Sequence, residues 1–355
     1  MPGSMRILVI GGTAFIGPYV VRALVCQRHE VTVFHRGSTV ADLPVAVEHL
    51  QGERSELLAH TKTFDRLAPD VVLHMVPMSE RDAAVAVHTF AGRTSRLVAI
   101  SSSDVYRARN RLFRVEPGPP DSVPLTEESP LRSVLHPHRA AAPAPDHPLY
   151  SYDKIPVERI VMHGSDLPGT VLRLPIVYGP GDRQHRLFEH LRRMDHGRSM
   201  VPIRRDYGLW RGTRGYVENV AAAIVLAVTH PAAAGRIYNV GEEPALTEAE
   251  WIRKIGAVAG WQGEVVPVPE AALPDLPDLS TEQDLVLDTS RIRRELGFRE
   301  VVSLEEGLGR TIRWERDHPP EPLPSPPDYA AEDRALGLAL AQEPDVEPEA
   351  CDIPD

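Results

Sequence analysis

The sequence has few cysteines, no excess of positive charge and no long apolar run, and each of these shortages excludes a class of protein. Its 355 residues contain only Cys26 and Cys351. Two cysteines are too few for a disulfide framework, which predicts a reducing, cytoplasmic location. The longest apolar run, 220–228, falls well short of the roughly 18 to 20 residues that a membrane-spanning helix needs. Residues 1–5 show no secretory signal pattern, so export is not expected.

The charge of the chain is acidic, and most of it lies at the C-terminal end. The 39 Lys and Arg residues against 50 Asp and Glu residues give a net charge of −11, which argues against general binding to nucleic acids. Residues 319–355 hold ten acidic residues and one basic residue, so this segment carries −9 and the remaining chain only −2. The charge argument against nucleic acids is therefore weak for the core.

The prolines also divide the chain. Of 34 prolines, nine lie in 116–150 and nine in 319–355. We expect residues 319–355 to form a flexible tail, extended or disordered apart from a helix over 328–342. Elsewhere short apolar segments alternate with amphipathic ones, which is typical of βαβ units. The predicted fold is an α/β, doubly wound parallel Rossmann sheet with a smaller C-terminal α/β substrate lobe.

The same pattern gives element and domain boundaries. Strands are predicted over 6–10, 30–34, 45–50, 70–75, 96–101 and 169–174, and helices over 14–28, 80–91, 150–162, 216–228 and 247–259. The nucleotide-binding domain is expected to comprise 5–177 and 213–242. The substrate lobe is expected to comprise 178–212 and 243–318.

A glycine-rich turn between the first strand and the first helix predicts a dinucleotide site. The turn reads Gly11-Gly-Thr-Ala-Phe-Ile-Gly17, and its glycines let the backbone approach a diphosphate at the start of the helix. From this turn we expect cofactor contacts at Gly11, Thr13, Ala14, Phe15, Ile16 and Gly17. Further along the chain, Met75, Ser101 and Pro175 are expected to contact the cofactor.

The end of the second strand favours NADP over NAD. A carboxylate at this point accepts a hydrogen bond from the ribose 2′-hydroxyl and repels a 2′-phosphate. Here the chain has His35 and Arg36 instead, although Arg36 is equally compatible with a solvated loop. Glu53, after the third strand, is a candidate for the adenine edge.

A second motif, Tyr150-Ser-Tyr-Asp-Lys154, predicts proton-transfer chemistry. If it opens a helix, the i, i+4 spacing puts Tyr150 and Lys154 on one face. A nearby ammonium then lowers the pKa of the phenol. Tyr152 with Lys154 is a rival pair, whose spacing does not suit a shared helical face. The fifth predicted strand ends in three serines at 101–103, which can offer a hydroxyl to the reacting oxygen.

These elements together resemble the extended short-chain dehydrogenase/reductase superfamily, specifically the NAD-dependent epimerase/dehydratase family. Further likenesses are Leu172-Arg-Leu-Pro-Ile-Val-Tyr-Gly-Pro-Gly181, Arg214-Gly-Tyr-Val217 and Tyr238-Asn-Val-Gly241, so the resemblance covers about 5–314. It implies a catalytic triad of Ser102, Tyr150 and Lys154. In this triad Tyr150 moves the proton, Lys154 binds the nicotinamide ribose, and Ser102 stabilises the developing oxyanion.

The resemblance implies an NAD(P)-dependent epimerase or reductase acting on a hydroxyl or carbonyl of a sugar-like substrate. The dehydratases of this family carry an Asp-Glu pair where this chain has Ser103 and Asp104. The missing first carboxylate disfavours a dehydratase activity, whereas the single remaining carboxylate leaves a decarboxylase activity open. A nucleotide sugar is a candidate substrate. The remaining alternatives are an NADP-sensing regulator without turnover and an RNA-binding relative resembling the chloroplast stem-loop-binding proteins.

Candidate substrate contacts lie in several segments. They are Asp104, Tyr106, Tyr178, His185, Arg211 and Arg214. His136 and His138 suggest a metal site, but no third ligand follows at regular spacing, so no metal is expected. The resemblance also implies a homodimer formed through the helices predicted over 80–91 and 150–162.

Overall fold

The structure, a computed structural model, describes residues 3–39, 41–164, 166–273 and 279–341. The strands in these residues are β1 (Arg6–Ile10), β2 (Glu30–His35), β3 (Glu48–Gln51), β4 (Val71–His74), β5 (Arg96–Ser102), β6 (Gly169–Leu174), β7 (Ile176–Tyr178), β8 (Met200–Arg204), β9 (Arg214–Tyr216), β10 (Arg236–Asn239) and β11 (Glu264–Val268). Seven of them form a parallel sheet in the order β10-β6-β5-β4-β1-β2-β3. The predicted doubly wound α/β fold is confirmed.

The helices cover both faces of this sheet and build the second lobe. They are α1 (Ile16–Cys26), α2 (Thr61–Leu67), α3 (Glu80–Phe90), α4 (Arg107–Leu112), α5 (Pro148–Ser151), α6 (Lys154–His163), α7 (Phe188–Asp195), α8 (Arg205–Leu209), α9 (Val217–Thr229), α10 (Glu248–Ala259), α11 (Ser290–Leu296), α12 (Leu304–Asp317) and α13 (Tyr329–Leu340). Short 3-10 helices cover Arg54–His60, Ser103–Val105, Arg139–Ala141, Pro231–Ala233 and Glu270–Ala272.

The core explains why the strands are apolar along their whole length. Ile7–Ile10 of β1 are all buried, because helices cover a parallel sheet on both sides. One face carries α1 against α9 and the other carries α3 against α6. The strand order reverses at β1, which lies between β2 and β4. In such sheets a crevice for ligands opens at the carboxyl ends of the strands on either side of the reversal.

Outside the seven-stranded sheet lie two small parallel pairs, β8 with β11 and β7 with β9. Helices α7 and α10 pack on each other, and Leu191, Trp251 and Ile255 join the same buried cluster as the sheet. The domain boundaries predicted from the sequence stay a prediction. Within the described part of the chain, no helix is both long and apolar enough to cross a membrane.

Most predicted elements are present, but the helix over 150–162 is wrong. The chain forms the short helix α5, leaves helical geometry at Tyr152, and starts again with α6. Asp153 is the reason for the break, because its extended backbone and its carboxylate, which accepts from Ile155 N at 3.0 Å, cap a new helix. A smaller correction is that the third strand begins at Glu48 rather than 45.

The tail prediction is only partly right. Residues 319–328 are mostly exposed and form no helix or strand, as expected for an extended segment, but the helix that follows, α13, packs on β8 and β11 instead of being loose. Leu336 is buried with Val268 of β11, and Arg193 of α7 binds Glu332 at 2.8 Å. The tail helix is held both by this apolar cluster and by ion pairs with basic side chains. Residues 342–355 lie outside the described residues.

Candidate active site

The glycine turn after β1 is closely packed, as a diphosphate-binding turn requires. Gly11 and Gly12 have φ values of +85° and +124°, a region that side chains rarely adopt. A Cβ on Gly17 would lie 2.5 Å from the backbone of Gly12, and one on Gly11 would lie 2.9 Å from Val76. The turn therefore lies directly against the start of α1, and its fit to a dinucleotide depends on these glycines.

A cavity of about 330 Å³ opens above this turn, at the carboxyl ends of β1, β2 and β4. Predicted cofactor residues that line it are Gly11, Thr13, Ala14, Phe15, Ile16, His35, Arg36 and Met75. The cavity lies at the strand-order reversal, where the fold predicts a ligand.

Six other predicted cofactor residues are not among its lining residues: Gly17, Glu53, Ser101, Tyr150, Lys154 and Pro175. Gly17 packs on Gly12 beneath the turn, and Glu53 is exposed beside the cavity. The Ser101 hydroxyl donates to the buried Glu158 at 2.5 Å, and Pro175 lines a second cavity. The expected cofactor contacts of these residues therefore stay a prediction.

The cavity also contains arginines that the sequence analysis missed. Arg54 and Arg183 join Arg36 in the lining, and the described lining holds no carboxylate. Arg54 lies 3.1 Å from Asp82. Arg54 could have been found from the sequence, because it directly follows the predicted Glu53. Arg183 has no such local signal, because only the folding of the loop after β7 brings it to the cavity. The three guanidinium groups fit the negative charge of a dinucleotide.

A second cavity, of about 540 Å³, adjoins the end of β5. Ile100 lines the first cavity and Ser102 the second. These residues are two apart on one strand and so point to the same face. The polar and aromatic residues lining the second cavity are Ser102, Ser103, Asp104, Arg109, Phe113, Gln184, Arg186, His190, Tyr207, Trp210, Arg214, Glu248 and Trp251. Both cavities thus reach the carboxyl-terminal part of β5.

Asp104 is the centre of the polar contacts just after β5. The Tyr152 hydroxyl donates to Asp104 Oδ2 at 2.8 Å, and Asp104 N donates to Ser102 Oγ at 3.2 Å. Burial, together with the negative charge of Asp104, raises the pKa of Tyr152 well above its usual range. Tyr152 therefore stays a protonated hydroxyl at neutral pH.

Lys154 lies behind this group and is buried. Its Nζ donates to Pro77 O at 2.7 Å and to Ile100 O at 3.0 Å, which ties the loop after β4 to β5. Burial lowers the pKa of Lys154 to about 8, although nearby carboxylates oppose that shift. The same Nζ is 5.8 Å from the centre of the Tyr152 ring.

Tyr150 does not share a helical face with Lys154, contrary to the sequence prediction. It belongs to α5 and is half-exposed. The Arg139 guanidinium carbon lies 4.8 Å from the centre of the Tyr150 ring, and Arg139 Nε donates to Tyr150 O at 3.2 Å. The break at Asp153 places Tyr152, the rival in the sequence analysis, beside Asp104 and Lys154.

Two tyrosines predicted to contact substrate are core residues. The Tyr106 hydroxyl donates to Asn239 at 2.6 Å and accepts from Arg173 at 3.0 Å. Tyr178 is buried with its hydroxyl 3.4 Å from a Glu242 oxygen. Both belong to satisfied internal contacts, so the prediction of substrate contact is wrong in this structure.

Two of the polar candidates also have internal partners. His185 Nδ1 is 2.7 Å from Glu315, and its ring stacks on Trp314. Arg211 pairs with Asp284 at 2.7 Å. Neither lines the second cavity, whereas Arg214 does, paired with Glu248 at 2.5 Å.

The second cavity contains further residues that lie outside the sequence motifs. Arg186 pairs with Asp182 at 2.7 Å, while the Arg109 guanidinium lies 4.6 Å from the centre of the Phe113 ring. Tyr207 and Trp210 stack with ring centres 5.8 Å apart. They come from separate helices and loops, so no single stretch of sequence marks this cavity.

The described residues contain no cluster of His, Cys, Asp or Glu that could hold a metal. His138 instead contacts the Tyr152 ring, with ring centres 5.2 Å apart. His136 N donates to Asp153 at 2.7 Å.

Comparison with known proteins agrees with this geometry. Residues 7–241 match the model of the NAD dependent epimerase/dehydratase family. The chain belongs to this family. Several similar proteins are named as enzymes. The 2′-dehydrokanamycin reductase of Streptomyces kanamyceticus is 29% identical over 295 residues, which cover 81% of this chain and 75% of the relative. The dTDP-glucose 4,6-dehydratase of Streptomyces niveus is 30% identical over 352 residues, 91% of this chain and 96% of the relative.

Solved structures of the family share the fold. A dTDP-glucose 4,6-dehydratase from Bacillus anthracis in complex with NAD has a TM-score of 0.66 and 19% identity, covering 90% of this chain and 100% of that one. A UDP-glucose 4-epimerase from Thermotoga maritima with UDP-glucose has a TM-score of 0.63 and 20% identity, covering 88% and 98%. The predicted membership of the epimerase/dehydratase family is confirmed, and with it the expectation of an NAD-dependent enzyme.

Proposed function

We propose that the protein is an NADP-dependent oxidoreductase or epimerase that acts on a hydroxyl or carbonyl carbon of a sugar-like substrate. The observation that carries this proposal is that two cavities of different chemistry both reach the carboxyl-terminal part of β5. One has the glycine turn and three arginines, and the other has Asp104, Ser102 and stacked aromatic rings. Aromatic faces and paired polar groups suit a sugar ring, and relatives named for sugar nucleotides support this substrate class.

We assign proton transfer to Tyr152, held in place by Asp104. A bound nicotinamide would supply hydride transfer to or from the carbon beside Ser102. The Tyr152 hydroxyl, which lies beside Ser102 and Asp104, would donate its proton to the substrate oxygen as charge develops there. Ser102 Oγ would donate a hydrogen bond to the same oxygen. Lys154 fixes the ends of β4 and β5 and would orient the nicotinamide ribose.

A matched pair of variants tests this assignment against the one that the family resemblance implies. Tyr152→Phe should lower kcat by about 100-fold or more, the usual contribution of a general acid, and leave NADPH binding intact. Tyr150→Phe should stay close to the wild type, because its ring packs on Arg139. The reverse result would restore Tyr150 as the proton-transfer residue and refute the role of Tyr152.

The NADP preference rests on the cavity at the end of β2. Arg36 is exposed there, Ser38 and Thr39 offer hydroxyls, and a carboxylate that would repel a 2′-phosphate is missing from the described lining. Arg36→Asp should weaken NADPH binding about tenfold or more, the scale of a lost charge-assisted hydrogen bond replaced by repulsion. NADH binding should change little. Arg299→Asp, an exposed arginine outside the cavity, is the control, and an unchanged NADPH to NADH ratio in Arg36→Asp would refute the preference.

A direct assay separates the two reaction types. NADPH oxidation during incubation with carbonyl forms of sugars and nucleotide sugars would identify a reductase. Cofactor that stays bound through desalting, with interconversion of a sugar epimer and no net NADPH consumption, would identify an epimerase. If neither occurs with any sugar or nucleotide sugar although NADPH binds, the proposed substrate class is wrong.

A 4,6-dehydratase activity, the name of several relatives, is the second candidate. Ser103 stands in the second cavity where the dehydratases of the family carry a carboxylate, so the oxidoreductase is favoured over it.

We also propose a cytoplasmic homodimer. Cys26 is a free, exposed thiol, which suits a reducing compartment. Helices α3 and α6 pack side by side on one face of the sheet. Val85, Val87 and Ile160 there remain partly exposed at the edge of the core, which makes this face the candidate interface.

A further inference from the structure

The loop formed by residues 179–186 follows β7 and lies against the glycine turn. The Tyr19 hydroxyl of α1 donates to Pro180 O at 3.1 Å. A Cβ placed on Gly181 would lie 3.8 Å from the Phe15 ring. The 179–186 loop is therefore in contact with the start of α1, although it belongs to the part of the chain that enters the second lobe.

Arg183 is the residue of this loop that lines the cofactor cavity. All the other described lining residues come from 10–100. Arg183 is exposed, and among the residues that the structure describes its guanidinium makes no hydrogen bond, ion pair or ring contact. Its charge is thus free to interact with a ligand.

The rest of the loop is held in place, so Arg183 is not a loose surface side chain on a mobile segment. The buried Asp182 accepts from Gln184 N at 3.0 Å and binds Arg186 at 2.7 Å. His185 is held by Glu315 at 2.7 Å. These contacts fix the backbone on both sides of Arg183 and leave its side chain beside the turn.

The position of Arg183 indicates which phosphate it would meet. The glycine turn and the start of α1 are where the fold binds a 5′-diphosphate. Arg36, Ser38 and Thr39 lie at the other end of the cavity, after β2, where a 2′-phosphate is expected. We infer that Arg183 binds the 5′-diphosphate of the dinucleotide from the side of the second lobe. This inference rests on the proposed function.

The test compares Arg183→Gln with Arg205→Gln, which removes an exposed arginine outside the cavity. Dissociation constants are measured by fluorescence or calorimetry for NADPH, NADH and ADP-ribose, which share the diphosphate and differ at the 2′-position or in the nicotinamide. Arg183→Gln should weaken the binding of all three ligands by a similar factor, about three- to tenfold, as expected for the loss of a partly solvated ion pair with a phosphate. The effect should shrink at high salt because exposed charges are screened. Arg205→Gln should leave all three constants unchanged.

Two outcomes would overturn the inference. If Arg183→Gln binds every ligand as the wild type does, Arg183 has no role in binding. If only NADPH binding weakens, Arg183 meets the 2′-phosphate instead. Failure of the proposed function is distinct, because it would appear in the wild type itself, either as no binding of the three ligands or as binding of NADPH without any turnover of sugars or nucleotide sugars.

Discussion

The buried ion pair between Arg132 and Asp153 gives the clearest quantitative prediction. Both side chains have no exposed surface, and Arg132 Nη2 lies 2.5 Å from Asp153 Oδ1. Asp153 also accepts from His136 N at 2.7 Å and from Ile155 N at 3.0 Å. One carboxylate thus neutralises a buried guanidinium, holds the loop that enters the site, and caps α6 next to Lys154.

Replacing Asp153 with Asn tests the energetic side of this arrangement. The amide keeps the shape and one acceptor oxygen, but the Arg132 charge is left buried without a counter-charge. Removing one partner of a buried pair costs about 3–5 kcal/mol, a large part of the roughly 5–15 kcal/mol total for a folded domain. The free energy of unfolding, measured by urea titration at pH 7, should fall by that amount. Asp65→Asn, which removes the exposed partner of Arg93, should cost less than about 1 kcal/mol.

The pH dependence has a definite sign. Hydrogen bonds from Arg132 and from backbone amides hold the pKa of Asp153 below its usual value in spite of its burial. A carboxyl with a lowered pKa stabilises the fold above the unfolded pKa of about 3.9 and loses this contribution as the pH falls through the folded value. The difference between wild type and Asp153→Asn should therefore be constant from neutral pH down to the unfolded pKa and narrow below it. A difference in unfolding free energy of less than about 1 kcal/mol at pH 7 would refute the reasoning, because burying an unpaired guanidinium costs more than that.

Two further predictions concern the glycine turn and the tail. Gly17→Ala should abolish dinucleotide binding and lower the free energy of unfolding by about 1–3 kcal/mol, because the added methyl group overpacks against Gly12. The control is Gly309→Ala, whose added methyl group would have no atom closer than 3.7 Å and should be neutral or stabilising. If binding titrations and thermal melts give the same results for the two variants, the packing argument is contradicted. Leu336→Asp should release α13, seen as faster proteolytic cleavage of 319–341, because it places a charge in the cluster with Val268. Leu338→Asp, on the exposed side of the same helix, should leave cleavage unchanged, and equal cleavage of the two variants would mean that the tail is not docked.

Much of the cofactor site could be predicted because its residues are close together in sequence. The strand, turn and helix around Gly11 form a local unit, and the end of β2 lies one βα unit further on. The substrate cavity could be predicted only in part, because Ser102, Asp104 and Arg214 were candidates from the sequence, whereas Arg109, Tyr207 and Trp210 were not. Its arginines, Arg109, Arg186 and Arg214, lie on α4, the loop after β7, and β9, and only the tertiary structure decides which of them face inward.

The tyrosine assignment shows how one residue limits a pattern-based prediction. The i, i+4 spacing of Tyr150 and Lys154 has meaning only if a continuous helix joins them. Asp153 is a strong N-cap residue, and it caps a helix here because Arg132 and His136, both outside the motif, stabilise its carboxylate. Those contacts depend on the loop that precedes α5, which a local spacing rule does not include.

Local patterns in the sequence therefore determined the parallel sheet, the glycine turn and the family, because apolar periodicity and backbone freedom at glycine act over neighbouring residues. The tertiary structure alone decided which tyrosine meets Asp104, which arginines line the two cavities, and whether the acidic tail is free or docked. Each of these depends on pairing charges that are distant in sequence, such as Arg193 with Glu332. The free energy of such pairs depends on burial and geometry, which exist only once the chain has folded.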